Sequence, residues 1–422
     1  MIRSALLSLA LAIAPVDFAS AQAVRVETLD GVETTGQLVD WQPGSITLET
    51  NQGEYVATAA ELLGVRIGQA QAGDAAASAN FTSPCVVRLH NGSVLPATQV
   101  TVAERRATIR TSFSTDELVL PTSAIELIDL APGNVAAREA WQAAQQRELP
   151  GDLLFVLKKD GAAVDYLAGV VGAVTDEVVD FEWEGDRIPV KLSKVAGIAF
   201  YRSQNSDSAR AACRVQMADG TQLAAAGMLV ADGQATIGLA SGGEIKLPLE
   251  KIVSVDYSLG KIAYLGDLRP LQSRWTPLVG MPAAAESIAA YGEPRFNRSF
   301  SGAPIELLVA DEGQPSTRRR QSFARGLALR SRTEIVYAVP RDMTRFAALA
   351  GIAPDCAAEG KVALTVSGDR DILWEGVVLG GEPPQEISVD LAGARRVRIV
   401  VDYGGNRDYG DELHLAQARF VK

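Results

Sequence analysis

The sequence predicts an all-β protein of several domains: tandem small β-barrels followed by a larger β-sandwich. Three observations carry this expectation. Four segments of the first two-thirds repeat one outline of short strand-like runs. After about Leu271 the outline gives way to alternating apolar runs separated by turn clusters. Helix-forming composition is confined to two short stretches, within Asn134–Glu148 and over Ala283–Tyr291.

The repeats come first because a missed period misreads a whole fold. Their opening runs are VRVETLDGVETTGQLVDW, CVVRLHNGSVLPATQV, LLFVLKKDGAAVDYLAGVV and CRVQMADGTQLAAAGMLV. Each holds a strand-like alternation that ends at Asp30-Gly31, Asn91-Gly92, Asp160-Gly161 or Asp219-Gly220. Such dipeptides tolerate the positive φ of a tight hairpin turn. More strands follow, and a short polar stretch precedes the last one: Ala59-Ala60-Glu61, Thr122-Ser123-Ala124, Ser193-Lys194 and Glu250-Lys251. Five short strands with a one-turn break before the fifth resemble small SH3-like or Sm-like barrels. The expected repeats are 24–68, 84–131, 151–203 and 212–268. A unit this small is marginal alone and gains by packing on its neighbours or pairing strand edges. Gln69–Ser83 reads as a linker, and 132–150 as a helical linker whose Trp141 packs onto a barrel.

Bulk composition agrees with a folded, multi-domain chain. At 422 residues it exceeds one ordinary core, and 47% hydrophobic with 22% charged residues is a globular balance. The net charge of −11 opposes binding to phosphate backbones, so no nucleic acid partner is expected. Residues 1–23 read as a signal peptide: Arg3, an apolar run Ala5–Ala14, then Ala21-Gln22-Ala23 at the cleavage site. A secreted or periplasmic location follows, with no transmembrane segment after cleavage. Three cysteines, Cys85, Cys213 and Cys356, make no disulfide framework. They read as reduced thiols, with a Cys85–Cys213 pair as the alternative.

Nine runs in the last third suit an antiparallel sandwich, from IELLVAD through KVALTVSGD to LHLAQARFV. In Lys361–Gly368, Val362, Leu364 and Val366 face one way, and Ala363, Thr365 and Ser367 the other. The runs SFARGLALRSRTEIVYAVP, TRFAALAGIAPD, GKVALTVSGDRDILWEGVVLGG and ISVDLAGARRVRIVVDYGG, with a closing AQARF, resemble the NPCBM domain. This family is named for carbohydrate binding and was first described at glycoside hydrolase family 98 enzymes. The resemblance covers 271–422 and implies a galactose-binding-like jelly-roll β-sandwich. Two departures stand out. Where the family shows Gly-Leu-Gly-x-His, this chain has Gly326-Leu327-Ala328-Leu329-Arg330. In the terminal segment Leu415 replaces a Trp and His414 an acidic residue.

Catalysis finds no support in the sequence. Only His90 and His414 are present, and no HExxH, GxSxG or P-loop pattern occurs. Sugars are held by aromatic faces and planar polar side chains. Candidates are Trp374, Tyr403, Tyr409, Arg330 and Arg332, with core packing as the alternative role for Trp374. Asp402, Asp408 and Asp411 offer oxygen ligands for a structural calcium, the one cofactor considered. Arg318-Arg319-Arg320 reads as a basic loop before Ser322. The leading expectation is an exported, non-catalytic protein that recognises polysaccharide or glycan through the sandwich. The alternative is a structural protein of the cell envelope that contacts other envelope proteins and binds no sugar.

Overall fold

The computed structural model describes residues 23–68, 83–146, 151–158, 161–201, 210–278, 291–311 and 314–422. Nearly all of the expected signal peptide and of the expected 69–83 linker and 283–291 helix falls outside the described residues. The chain forms two compact units, Met1–Leu259 and Gly260–Lys422.

The first unit holds four five-stranded repeats. The first comprises β1 (Ala23–Thr28), β2 (Glu33–Gln42), β3 (Ser45–Thr50), β4 (Gly53–Thr58) and β5 (Leu62–Ile67). The second comprises β6 (Cys85–Leu89), a second strand broken into β7 (Val94–Ala97) and β8 (Gln99–Ala103), then β9 (Arg106–Arg110), β10 (Leu118–Pro121) and β11 (Ile125–Asp129). Helix α1 (Val135–Gln145) follows. The third is β12 (Asp152–Lys158), β13 (Ala163–Val174), β14 (Val178–Trp183), β15 (Asp186–Lys191) and β16 (Val195–Ala199). The fourth is β17 (Cys213–Met217), β18 (Gln222–Ala231), β19 (Gln234–Leu239), β20 (Glu244–Pro248) and β21 (Ile252–Asp256). All four share one antiparallel order, fifth-first-second-third-fourth. A register shift bends the long second strand in repeats one, three and four, as a β-bulge does when a sheet must curl.

The hairpin turns work differently from the expectation. At Asp30-Gly31, Asn91-Gly92 and Asp219-Gly220 only the glycine takes positive φ, +86°, +84° and +86°, and Gly161 takes +90°. In two of the turns the preceding residue closes an Asx turn instead. Asn91 Oδ1 accepts from Ser93 N at 3.0 Å, and Asp219 Oδ1 from Thr221 N at 2.9 Å.

The repeats pair in a nested order. The fifth strand uses one edge for its own first strand and the other for a fifth strand elsewhere. β5 pairs β21 with Val65 opposite Val255, and β11 pairs β16 with Ile128 opposite Ile198. These four residues hold equivalent places in their repeats, so each pair has a local pseudo-twofold axis. All are buried, and each burial contributes about 1.5–3 kcal/mol. The second strands repeat the symmetry: Trp41 lies opposite Val230, and Val102 opposite Val174. Repeat one therefore joins repeat four, and repeat two joins repeat three. One apolar core runs through all four, and Trp41 Nε1 donates to the Tyr257 hydroxyl inside it at 3.1 Å. Asp152 fastens repeats two and three. Its buried carboxylate accepts from Arg105 Nη1 (3.0 Å), Val171 N (3.0 Å) and Tyr201 N (2.8 Å).

Repeats two and four meet at Val94 and Gln222, again equivalent positions. Here the symmetry breaks. Ser93 Oγ accepts from Ala224 N at 2.8 Å. The equivalent hydroxyl is Thr221, and its matching donor would be residue 96, which is proline and has no N–H. Among the described residues Thr221 Oγ1 is buried without a hydrogen-bond partner. Cys85 and Cys213, heading equivalent strands, are buried and form no disulfide, while Cys356 is half-buried. Burial, the main influence, pushes the Cys85 thiol up to about 11.

In the second unit, β22 (Ile262–Tyr264) is followed by β23 (Gln272–Trp275), β24 (Arg295–Phe296), β25 (Ile305–Asp311), β26 (Gln314–Phe323), β27 (Gly326–Arg330) and β28 (Thr333–Ala338). Then come β29 (Arg345–Ile352), β30 (Lys361–Ser367), β31 (Ile372–Leu379), β32 (Gln385–Asp390), β33 (Arg396–Tyr403) and β34 (Glu412–Val421). One sheet runs β24-β27-β34-β29-β32, with β22 also on β34; the other runs β23-β28-β33-β30-β31. Their facing side chains form one core, with Val362, Leu364 and Val366 inside as the alternation predicts. Two expectations need correction. Ile262–Tyr264 pairs with Arg419–Val421, so this stretch belongs to the sandwich and not to the fourth repeat, expected to end at 268. Arg318, Arg319 and Arg320 are on a strand, not in a loop: β26 pairs β25, and Arg320 meets Glu306 and Asp355. Acidic partners across the ribbon make a run of arginines tolerable there.

The broken symmetry gives a paired prediction. Ser93→Ala strands the buried Ala224 N–H and should lower stability by about 1–3 kcal/mol. Thr221→Val removes a hydroxyl that bonds nothing and should be neutral or stabilising. Urea unfolding midpoints of the two variants check this.

Candidate functional site

Three strand ends meet at one rim of the sandwich. β23 ends at Trp275, β27 at Arg330 and β33 at Tyr403. The turn after β27 contributes Ser331, and the loop between β33 and β34 contributes Asp408 and Asp411. With Thr276, Leu278 and Tyr291 these residues line a shallow concavity that draws on both sheets.

The aromatic wall is built tightly. The Trp275 and Tyr291 rings sit 6.2 Å apart at 60°. A Cβ on Gly292 would fall 1.9 Å from Trp275 Cδ2, so only glycine lets the indole lie against that backbone. The Arg330 guanidinium stacks on two rings, 4.0 Å from the Tyr291 centroid and 4.4 Å from that of Phe300. Its Nη1 also donates to the Tyr291 hydroxyl at 2.9 Å. The acidic loop is pinned from below. Asn406 Nδ2 donates to Glu359 O (2.7 Å) and Tyr409 O (3.1 Å), and Gly404 N to Lys361 O (3.0 Å).

Asp411 supplies the strongest chemical signal. Its side chain is buried at 1% exposure. Oδ1 accepts from Lys361 N at 3.3 Å, while among the described residues Oδ2 makes no hydrogen bond of standard geometry. Burial raises the carboxyl above the ordinary range and the nearby Asp408 charge adds to this, while the Ser331 hydroxyl and the Lys361 N–H oppose them. With only the Ser331 hydroxyl and the Lys361 N–H acting on it among the described residues, this buried carboxylate at the edge of an aromatic concavity has acceptor capacity left for a ligand donor. Glu412, next in sequence, is held below its usual value. Burial acts to raise it and is outweighed by the His414 hydrogen bond and charge, the Phe300 N–H and Arg330.

Comparison with known proteins bears on this unit. Residues 277–421 match the family model of the NPCBM/NEW2 domain. The C-terminal unit contains an NPCBM domain. Among solved structures, the CBM51-2 and INT domains of Clostridium perfringens ZmpB, in complex with GlcNAc, are similar at 21% identity and a TM-score of 0.32. That match covers 46% of this chain and 37% of the other, so the chain spans little over a third of it. CBM51 of Clostridium perfringens GH95, in complex with methyl-galactose, matches at 20% identity and a TM-score of 0.32, covering 38% of this chain and 99% of the other. The tandem CBM51 modules of Sp3GH98 from Streptococcus pneumoniae match at 12% identity and a TM-score of 0.30, over 80% and 87% of the two chains. No curated protein matches the chain.

The NPCBM rim gathers some of the residues singled out in the sequence and disperses others. Arg330 and Tyr403 line the concavity, joined by Asp408 and Asp411. Tyr409 is 65% exposed on the adjoining loop and is not part of the lining. Arg332 sits in the turn between β27 and β28 at φ +62°, where its carbonyl accepts from Thr276 N at 3.0 Å, with its side chain exposed outside the concavity. Trp374 packs half-buried against the sandwich core on β31, away from the rim residues. Asp402 is exposed on β33 and does not join Asp408 and Asp411. Among the described residues no three His, Cys, Asp or Glu side chains gather as metal ligands. The sequence reading missed Trp275, Tyr291 and Ser331. Trp275 precedes Thr276-Pro277, and a lone aromatic before a proline carries no motif.

The two departures from the family pattern fall in different places. Leu415 is a fully buried core residue, so losing a Trp there changes packing and not the rim. Arg330, standing where the family has His, is at the rim itself. His414 is buried and bonded to the Glu306 backbone and to Glu412.

The raised Asp411 pKa sets a pH dependence with a definite sign. A carboxyl that holds its proton more tightly when folded favours the folded state at low pH. That contribution is lost as pH rises from its ordinary value of 3.8 through the raised folded value. The Asp411→Asn variant should lack this slope. Thermal denaturation of both proteins across acidic pH checks it.

Proposed function

We propose that this chain is an exported, non-catalytic protein whose NPCBM domain grips a glycan at the rim formed by Trp275, Tyr291, Arg330, Tyr403, Asp408 and Asp411. The observation that carries the reading is Asp411 Oδ2. It is a buried acceptor with no hydrogen bond of standard geometry among the described residues, beside aromatic rings and a guanidinium that is already stacked in place. A sugar ring has an apolar C–H face for such rings and hydroxyl donors for such a carboxylate. An uncharged sugar fits best, because it adds donors to the two rim carboxylates without adding charge. Fixed side chains also lower the ordering cost of binding. Family membership supports the glycan class. Export is supported by Arg3, the Ala5–Ala14 run and Ala21-Gln22-Ala23. Among the described residues, no helix is long and apolar enough to cross a membrane.

The test is retention of the full chain on a panel of neutral polysaccharides by affinity electrophoresis. Tyr403→Ala and Arg330→Gln should each weaken retention about tenfold or more, the loss of one good polar or stacking contact. Trp374→Ala should change retention little, provided the sandwich stays folded. Absence of retention on every neutral glycan, or full retention by both rim variants, would overturn the reading.

A further inference from the structure

A cavity of about 740 Å³ opens in the first unit between α1 and the sheet of β6, β11 and β16. It shares no residue with the sandwich rim, and its size is that of a small-ligand pocket. Its apolar lining comes from Leu127, Trp141 and Phe155, with the two aromatic rings 6.0 Å apart and edge to face. Arg88 reaches it from β6 and Arg138 from α1. Among the described residues neither guanidinium makes a hydrogen bond or a close ion pair, although both favour the charge of Asp129 from a distance. The start of α1 also lines the cavity. Asn134 caps it, its Oδ1 accepting from Ala137 N at 3.0 Å, and no acidic side chain occupies the first turn. The positive end of the helix therefore adds to the field of the two arginines.

The opposite lining is acceptor-rich. Glu126 is held by Gln145, whose Nε2 donates to Oε1 at 3.1 Å, and Gln142 lies alongside. Asp129 is set apart by burial, which raises its carboxyl despite the Ala131 N–H and both arginines. The cavity thus offers two cations that make no side-chain hydrogen bond or close ion pair among the described residues, amides and carboxylates that match hydroxyls, and an indole between apolar neighbours.

We propose that this cavity is a second binding site of the chain and that it takes an acidic sugar. The sugar carboxylate meets Arg88 and Arg138, its hydroxyls meet Glu126 and Gln142, and its C–H face lies on Trp141. A neutral sugar would leave both guanidiniums unpaired on burial. A simple carboxylate would leave the acceptor-rich lining unused.

Calorimetric titration of the full chain with digalacturonate, and with galactobiose as the uncharged counterpart, tests the proposal. Digalacturonate should bind, more weakly as salt rises. Arg138 is exposed, so Arg138→Gln should fold normally and weaken binding about tenfold or more. Combining it with Arg88→Gln should abolish binding with the melting temperature retained. Galactobiose binding, if any, should not respond to either change. No heat with digalacturonate at about 1 mM, a limit of weak affinity, would overturn the proposal. So would an unchanged isotherm in the folded double variant, or equal competition by acetate.

Discussion

Unpaired backbone at strand edges is the constraint that organises this molecule. A small five-stranded repeat closes its first strand against its fifth and still leaves the outer edge of the fifth with open N–H and C=O groups. Here that edge is satisfied by the same edge of another repeat, with Val65 on Val255 and Ile128 on Ile198 at the centres of symmetry. Pairing like edges brings the second strands together as well, and the separate small cores merge into one. The sandwich meets the same demand differently. Its last strand, β34, lies between β27 and β29, and a separate ribbon, β25–β26, packs its apolar face against Ala328 and Ala416.

The sandwich rim follows from this closure. Once the two sheets are fixed, the ends of β23, β27 and β33 have no freedom to separate, and the aromatic and charged side chains they carry are held by backbone geometry. The loop bearing Asp408 and Asp411 is short and tied to Glu359 and Lys361. A site assembled from strand ends is stiffer than one carried on a long loop, which suits recognition of a ligand with many weak, directional contacts.

Much of the fold was legible because it is written in local periodicities. The nine strand-like runs of the last third all fall on strands, and the glycines of the hairpin turns mark the repeats. The ribbon strand β26 escaped notice because Arg318-Arg319-Arg320 suppresses the apolar alternation. Those charges are answered by Asp311, Glu306 and Asp355, of which Asp355 lies far along the chain. The nesting of repeats was not legible at all, since pairing of fifth strands depends on equivalence in space. For the rim, Arg330, Tyr403, Asp408 and Asp411 could be singled out from their loop positions or family pattern. Trp275 and Tyr291 could not, because they lie far from those loops in sequence. Trp374 drew attention as an aromatic on a strand, but strand alternation does not tell an outer face from an inner one.

The nested order also has a consequence in time. Trp41 waits for Tyr257, 216 residues further on, to satisfy its indole N–H. During synthesis the first repeat emerges long before its mate, while the second and third can join one another early. The half-made protein carries a bare edge for most of its assembly, and closure comes last, when the outermost partners meet. A chain of this design benefits from a route that delays premature association until its fourth repeat has been delivered.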